Sequence, residues 1–184
     1  MGAHQPNLDS SQIAFIRQSP VFFVATAPLS AEGHINCSPR PVDSRFLINS
    51  ETEVGWLDLV GSGIETVAHL KENGRIVLMF CSFSEQPQIL RIHGKGEVFE
   101  PGHTRFEETM SRFSNHLGVR AVIIIKVERV STSCGYGVPM MNFVSHRSTI
   151  DEWLDLKGTN GLAVYKRQHN KNSIDSLTGL KLDD

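Results

Sequence analysis

The stretch Trp56–Phe80, WLDLVGSGIETVAHLKENGRIVLMF, decides how this chain is read. It has the pattern of strand, Gly-Ser-Gly turn, short helix, strand. A turn of this kind leaves unpaired backbone N–H groups at a helix N-terminus, where the helix dipole favours an anion. The same residues have a plainer reading. Ser62 followed three residues later by Glu65 makes a capping box, which needs no ligand. Gly74 then stops the helix after Asn73 as a left-handed C-cap residue. Both readings of the turn, cap and anion site, stay open on local grounds.

Outward from this segment, apolar runs and turn signals alternate. Leu8–Gln18 reads as a helix with Asp9 as cap, Gln12 at the reciprocal position, and Leu8 stapled to Ile13. Val21–Ala27 is a β-branched and aromatic strand. Pro28–Gly33 is a turn, and Ile35–Ser38, Arg45–Asn49 and Val54–Leu59 follow as short strands. Beyond the Ile64–Asn73 helix come the strand Ile76–Phe83 and a long alternating strand, Gln88–Glu100, with a bulge at Gly94 or Gly96. Thr104–Leu117 is a helix with a Thr104/Glu107 capping box and one apolar face of Phe106, Met110, Phe113 and Leu117. Ala121–Val130 is the last strong strand. Ser131–Met141 is a Gly/Pro loop, Ser148–Leu156 and Leu162–Ile174 read as helices, and the tail Ser176–Asp184 is expected to be exposed and frayed. About six mostly antiparallel strands with helices between them define an α+β, barrel-like domain. The whole of 1–184 reads as one domain, with 131–184 as a loop and helical extension of it.

Composition excludes several functions. The 184 residues carry a formal net charge of −2, with no basic tract, which argues against nucleic acid. The three cysteines, Cys37, Cys81 and Cys134, are far apart and form no C-x-x-C pair, so neither a disulfide framework nor a zinc ribbon is expected. The N-terminal residues lack an apolar signal region, and the longest apolar runs are too short for a bilayer, so a cytoplasmic protein is expected.

The ordered segments FFVATA, INCSPR, SRFLI, the Trp56–Phe80 run and QILRIHGKGEV resemble the pyridoxamine 5′-phosphate oxidase-like proteins over about residues 10–130. Within that family the chain looks like a subgroup with Ser38-Pro39-Arg40, the Leu57–Phe80 run and a late SCGYGVP loop at Ser133–Pro139. The resemblance implies an FMN-binding split barrel, usually a homodimer with FMN in clefts between subunits, acting on a small molecule. In the authentic oxidases an Arg-x-Val-Leu-x-Lys strand and a Ser-Arg-Lys run bind the FMN phosphate. Arg45 matches the first Arg. Asn49 replaces the strand's Lys, and Glu65-Thr66 replace the Arg-Lys pair, which sets a carboxylate where a dianion would sit. Either the phosphate is held by Arg45, Ser62, Gly63 and Thr66, with Arg40 or a partner's basic residue, or the site is weak or lost. Gln88 and Arg91 fall on the strand that carries a flavin-contacting Gln in the oxidases.

Other constellations are weaker. Arg167-Gln168-His169 has the spacing of the oxidases' late Arg-x-His substrate motif, but in a polar stretch where a chance match is expected. The histidines His4, His34, His69, His93, His103, His116, His146 and His169 show no metal-ligand spacing. His69 faces the flavin cleft, or is a satisfied surface or subunit-contact histidine. Cys134, in a glycine-bounded loop, lacks a recognisable base. Tyr136 and Trp153 have the chemistry to stack on a ring, or to fill core or interface. Lys166–Lys171 is a basic helix face. These readings lead to an FMN-dependent oxidoreductase, with a non-catalytic flavin or small-anion binder as the rival.

Overall fold

Alternation along the chain turns directly into sheet. The computed structural model describes residues 4–113 and 117–182. Its elements run β1 (His4–Gln5), α1 (Ser10–Gln18), β2 (Val21–Thr26), β3 (Asn36–Pro41), β4 (Phe46–Ser50), β5 (Glu53–Leu59), α2 (Glu65–Asn73), β6 (Arg75–Cys81), β7 (Ile89–Phe99), α3 (Thr104–Met110), β8 (Val119–Ser133) and α4 (Thr149–His169). Residues 114–116 of the expected third helix, His116 among them, and residues 183–184 of the tail lie outside the described residues.

The strands form one curled antiparallel sheet in the order β3-β2-β6-β7-β8-β5-β4, with β1 added to β8. This is the α+β split barrel that the sequence led us to expect, with more strands than were counted there. Phe22, Val24, Leu78, Phe80, Leu90 and Ile92 point into the curl and are wholly buried. The open ends of the sheet meet through aromatic rings. Phe22 lies 4.9 Å from Phe46 and 5.6 Å from Trp56, and Phe46 lies 5.8 Å from Phe80. Such pairs each add about 0.5–1.5 kcal/mol beyond area burial. β8 is buried on both faces. Ile123 and Ile125 join the barrel core, while Val122 and Ile124 pack with Phe106 of α3. The bulge lies between His93 and Gly94, where a Cβ on Gly94 would stand 2.2 Å from the Lys126 carbonyl oxygen.

β3 is longer than Ile35–Ser38 and takes in Pro39-Arg40-Pro41. Proline is tolerated there because β3 is a sheet edge, where its missing N–H leaves no ladder bond unmade.

The helix termini divide. The Asp9/Gln12 capping box forms as expected. The Ser62/Glu65 box does not form. Ile64 occupies the N-cap of α2 without a side-chain bond, and the Glu65 carboxylate accepts from the Ile174 N–H at 3.3 Å instead. The Thr104/Glu107 box fails likewise. His103 caps α3 through Nδ1, which accepts from the Arg105 N–H at 3.0 Å, and Glu107 accepts from Gly102. Gly74 is left-handed, with φ 70°, as its C-cap place demands.

The largest correction concerns the C-terminus. α4 is broken at Gly158 (φ 59°, ψ 176°) and ends at His169, not near Ile174. Residues 170–182 then form a strap. It folds back through Gly179 N–H to Lys171 O and Leu180 N–H to Asn170 O, and Asn172 bridges to Thr178. Leu180 is 4 % exposed and joins the barrel core with Leu182. Lys71 binds both Glu100 and the Gly179 carbonyl, which pins the strap beside α2. The tail is docked, not frayed, because its two leucines have an apolar surface to bury.

His69 of α2 is fully buried, with Nδ1 3.0 Å from Thr26 Oγ1, and Asn36 Nδ2 donates to both Thr26 and Thr66. Burial pushes its pKa below the ordinary histidine value, outweighing Asp175, Glu65 and Glu72. The unfolded chain protonates this imidazole at its ordinary pKa, and the folded chain does so only at lower pH. Over that interval the unfolded state holds the extra proton, so stability falls as pH drops below about 6.5. His93 is shifted in the same direction. The melting temperature of His69→Gln should therefore fall less steeply from pH 7 to pH 5 (about the histidine range) than that of the parent chain. Parallel curves for the two proteins would show that His69 carries none of this dependence.

Candidate functional site

The split edge of the barrel opens on a cleft of about 790 Å³, well inside the range of about 300–1,000 Å³ in which small-molecule sites fall. Each wall has a local cause. α1 stops at Gln18 because Ser19 and Pro20 follow, and Phe15, Gln18 and Pro20 face the opening. Pro39, Arg40 and Pro41 of β3 form the second wall, and Cys81–Ser84 with Gln86 and Gln88 the third. The turn between β6 and β7 is closed by Ser82 N–H to Gln88 O at 2.8 Å. The roof is the irregular segment after β8, with Met141, Phe143, His146 and Arg147, and Ile150 of α4.

The late glycine loop positions that roof. Gly135 has φ 67°, and a Cβ there would come within 2.8 Å of the Gln88 backbone nitrogen. Glycine thus lets the loop lie against the strand that presents Gln88. Met141 N–H then bonds to Phe83 O at 3.0 Å and ties the roof to the third wall.

Of the residues singled out in the sequence, Arg40, Arg45 and Gln88 come together in this cleft. Ser62, Gly63 and Thr66 are not among its lining residues. They sit at the start of α2, where Thr66 is buried against Asn36 and the adjoining Gly61 carbonyl accepts from Asn170 and Arg120. Arg91 bonds to Ser133 Oγ at 3.0 Å. Asn49 holds Arg112 Nη1 at 2.9 Å through Oδ1 and donates to Glu53, so a guanidinium stands beside the amide that replaces the family's Lys. Trp153 packs edge-on against Tyr165, while Tyr136 and Cys134 are exposed. Arg167-Gln168-His169 ends α4, with His169 against Tyr165. Cys81 lines the cleft, but burial pushes its thiol up, so it is an apolar wall and not a thiolate. Among the described residues no cluster of three or more His, Cys, Asp or Glu is arranged to hold a metal ion.

The cleft's two arginines differ in charge balance. Arg45 donates from Nε and Nη2 to Asp43, with Nε 2.9 Å from Oδ2, and from Nη1 to Asp151 of α4 at 3.0 Å. Hydrogen bonding to Asp43 raises its pKa further. Two carboxylates thus share one guanidinium. Arg40 is the reverse case. Its Nη1 lies 3.0 Å from Asp58 Oδ1, while Arg120 Nε donates to Asp58 Oδ2 at 2.7 Å and Trp56 Nε1 donates to Oδ1 at 3.2 Å. Two guanidinium groups share one buried carboxylate. Burial pushes Asp58 up, but Arg120 and Arg40 outweigh it and hold the carboxyl below its ordinary value. The Asp58 system is not visible as a site in the sequence. Its signal is an acid on the inward face of β5, two places beyond Trp56.

The chain is thus an antiparallel split barrel with a ligand-sized cleft, lined in part by Arg40 and Arg45, at its open edge. The profile of the pyridoxamine 5′-phosphate oxidase family matches residues 9–134. The chain is 36 % identical over 179 residues to the pyridoxamine 5′-phosphate oxidase family protein ustO of Aspergillus flavus, covering 89 % of this chain and 72 % of that one. Among solved structures, a tagged form of HupZ of Group A Streptococcus aligns with a TM-score of 0.54 at 22 % identity, over 67 % of this chain and 91 % of that one. A Clostridium acetobutylicum protein related to general stress protein 26 of B. subtilis aligns at 0.51 and 16 % identity, over 67 % and 86 %. At these identities the structures speak to the fold. The chain belongs to the pyridoxamine 5′-phosphate oxidase family.

Proposed function

We propose that this protein is a flavoprotein that holds FMN in the cleft at the barrel edge and acts as an oxidoreductase on a small molecule. The observation that carries the reading is the cleft itself, placed at the open edge of this family's fold. It has flat apolar walls at Phe15, Pro20, Pro39 and Phe83 for a ring, and polar groups at Gln88 and Arg40. The flavin would supply two-electron redox chemistry. The chain's own residues bind and orient. Gln88 offers an amide to the ring edge, the proline and phenylalanine walls exclude water, and the 141–150 roof limits access. Ser62, Gly63 and Thr66 of the α2 turn stay in the proposed cofactor site, at the far end of the ligand.

Purified protein mixed with FMN and passed through gel filtration is expected to keep the flavin's visible bands, bleached by dithionite. A colourless protein would reject the reading. One observation favours the rival, a flavin or small-anion binder without turnover. Asp43 and Asp151 neutralise the family's phosphate arginine, Arg45. A bound flavin that no small-molecule donor reduces would decide for it.

We place the working form as a homodimer. Met140, Met141, Phe143 and Val144 form an exposed apolar run, 58–90 % exposed and interrupted only by Asn142, and such runs mark contact surfaces. Among the described residues no helix is long and apolar enough to cross a membrane. A cytoplasmic site of action and the absence of nucleic acid among its partners remain part of this reading.

A further inference from the structure

We propose that a groove between the ends of α1 and α3, beside β4, is a second ligand site, and that it takes a small amphiphilic acid, an apolar body carrying one carboxylate. The groove has a volume of about 580 Å³, within the range of about 300–1,000 Å³ of small-molecule sites. It shares no lining residue with the barrel-edge cleft. The two cavities meet at residues 41–46, where Pro41 and Arg45 line the cleft while Val42, Asp43 and Phe46 line the groove. The site does not depend on what the cleft holds.

The floor of the groove is apolar for a reason of topology. β4 is the last strand of the sheet path, so no neighbouring strand covers its outer edge among the described residues. Val42, Phe46 and Ile48 are half-buried. They pack against the barrel core and also line the groove, with the wholly buried Ile16 of α1 beside them. Half-covered apolar groups in a concave surface gain from an apolar ligand body that displaces water.

The rim is cationic. Arg17 lies in the last turn of α1, and Arg112 follows α3, with its Nη1 donating to Asn49 Oδ1 at 2.9 Å. Both arginines are exposed, and among the described residues neither makes an ion pair. The carboxylates at hand are already taken. Asp43 accepts from Nε and Nη2 of Arg45, and Glu53, which accepts from Asn49 Nδ2 at 2.8 Å, pairs with Arg105. Two guanidinium groups therefore stand in excess beside an apolar floor. Their planar forks match a carboxylate, and a neutral ligand gains nothing from them.

Octanoate is the probe, titrated by calorimetry at fixed ionic strength, with octanol as its uncharged counterpart. The parent chain should bind octanoate at least about tenfold more tightly than octanol, the scale of hydrogen bonds to charged groups. The double variant Arg17→Gln, Arg112→Gln should bind octanoate no more tightly than octanol, and because both side chains are exposed it keeps the fold. Ser44→Trp, also exposed and on the groove wall, should weaken both probes. Saturating FMN should leave octanoate affinity unchanged. Undiminished octanoate binding in the double variant would overturn the site. So would equal binding of octanoate and octanol by the parent, or no octanoate binding at all. Competition between octanoate and FMN would place the acid in the barrel-edge cleft and overturn it as well.

Discussion

Asp58→Ala should destabilise the protein by about 3–5 kcal/mol, the cost of leaving a buried charge without its partner. Asp58 is fully buried and, among the described residues, is the sole carboxylate bonded to Arg120, whose side chain is 3 % exposed. Removing it strands that guanidinium inside the barrel, and Trp56 Nε1 loses its acceptor as well. Against a total stability of about 5–15 kcal/mol, the loss is large enough to shift the urea midpoint far to the left. The double variant Asp58→Leu, Arg120→Met should recover most of it, because both buried charges are then gone and Arg40 can turn to the water of the cleft. A midpoint for Asp58→Ala close to that of the parent would mean that solvent reaches Arg120.

Leu180→Ala should cost about 2–5 kcal/mol, the usual range for a buried leucine. Leu180 is 4 % exposed in the main core cluster, and it is the apolar anchor of the strap formed by residues 170–182. Leu182 packs beside it. Polar ties add to the two leucines, among them Asn170 to the Gly61 carbonyl, Ile174 N–H to Glu65, Lys71 to the Gly179 carbonyl, Lys181 N–H to Glu100, and His34 to Asp175 at 2.7 Å, an ion pair when the imidazole is protonated. The last is largely solvent-exposed and contributes little. The variant should therefore show both a lower denaturant midpoint and faster proteolysis confined to the C-terminal segment. An unchanged midpoint would mean that the strap is dispensable and that the barrel end closes without it.

Much of the barrel could be read from local pattern. Period-two alternation in VFFVAT and RIVLMFC, the glycine at 74 and the Asp9–Gln12 pair each specify their structure within a few residues. What could not be read depends on distant partners. Glu65 has the spacing of a capping box, but Ile174 N–H, more than a hundred residues on, takes its carboxylate. The bond from Arg45 to Asp151 depends on how α4 folds back, which no local pattern around Arg45 shows. The other partner of Arg45, Asp43, lies two residues away and is within local reach. The strap also left a trace, since Leu180 and Leu182 alternate with Gly179 and Lys181 as an edge segment does. The cleft's roof left none, because residues 134–148 have no period, and their path depends on Gly135 and on the Met141–Phe83 bond.

A crystal structure of the protein grown with FMN addresses the cleft directly. The flavin ring should lie among Phe15, Pro20, Pro39 and Phe83, with Gln88 at its edge and its phosphate within hydrogen-bond distance of Arg40. Flavin density at the Ser62–Thr66 turn with the barrel-edge cleft empty would contradict this account.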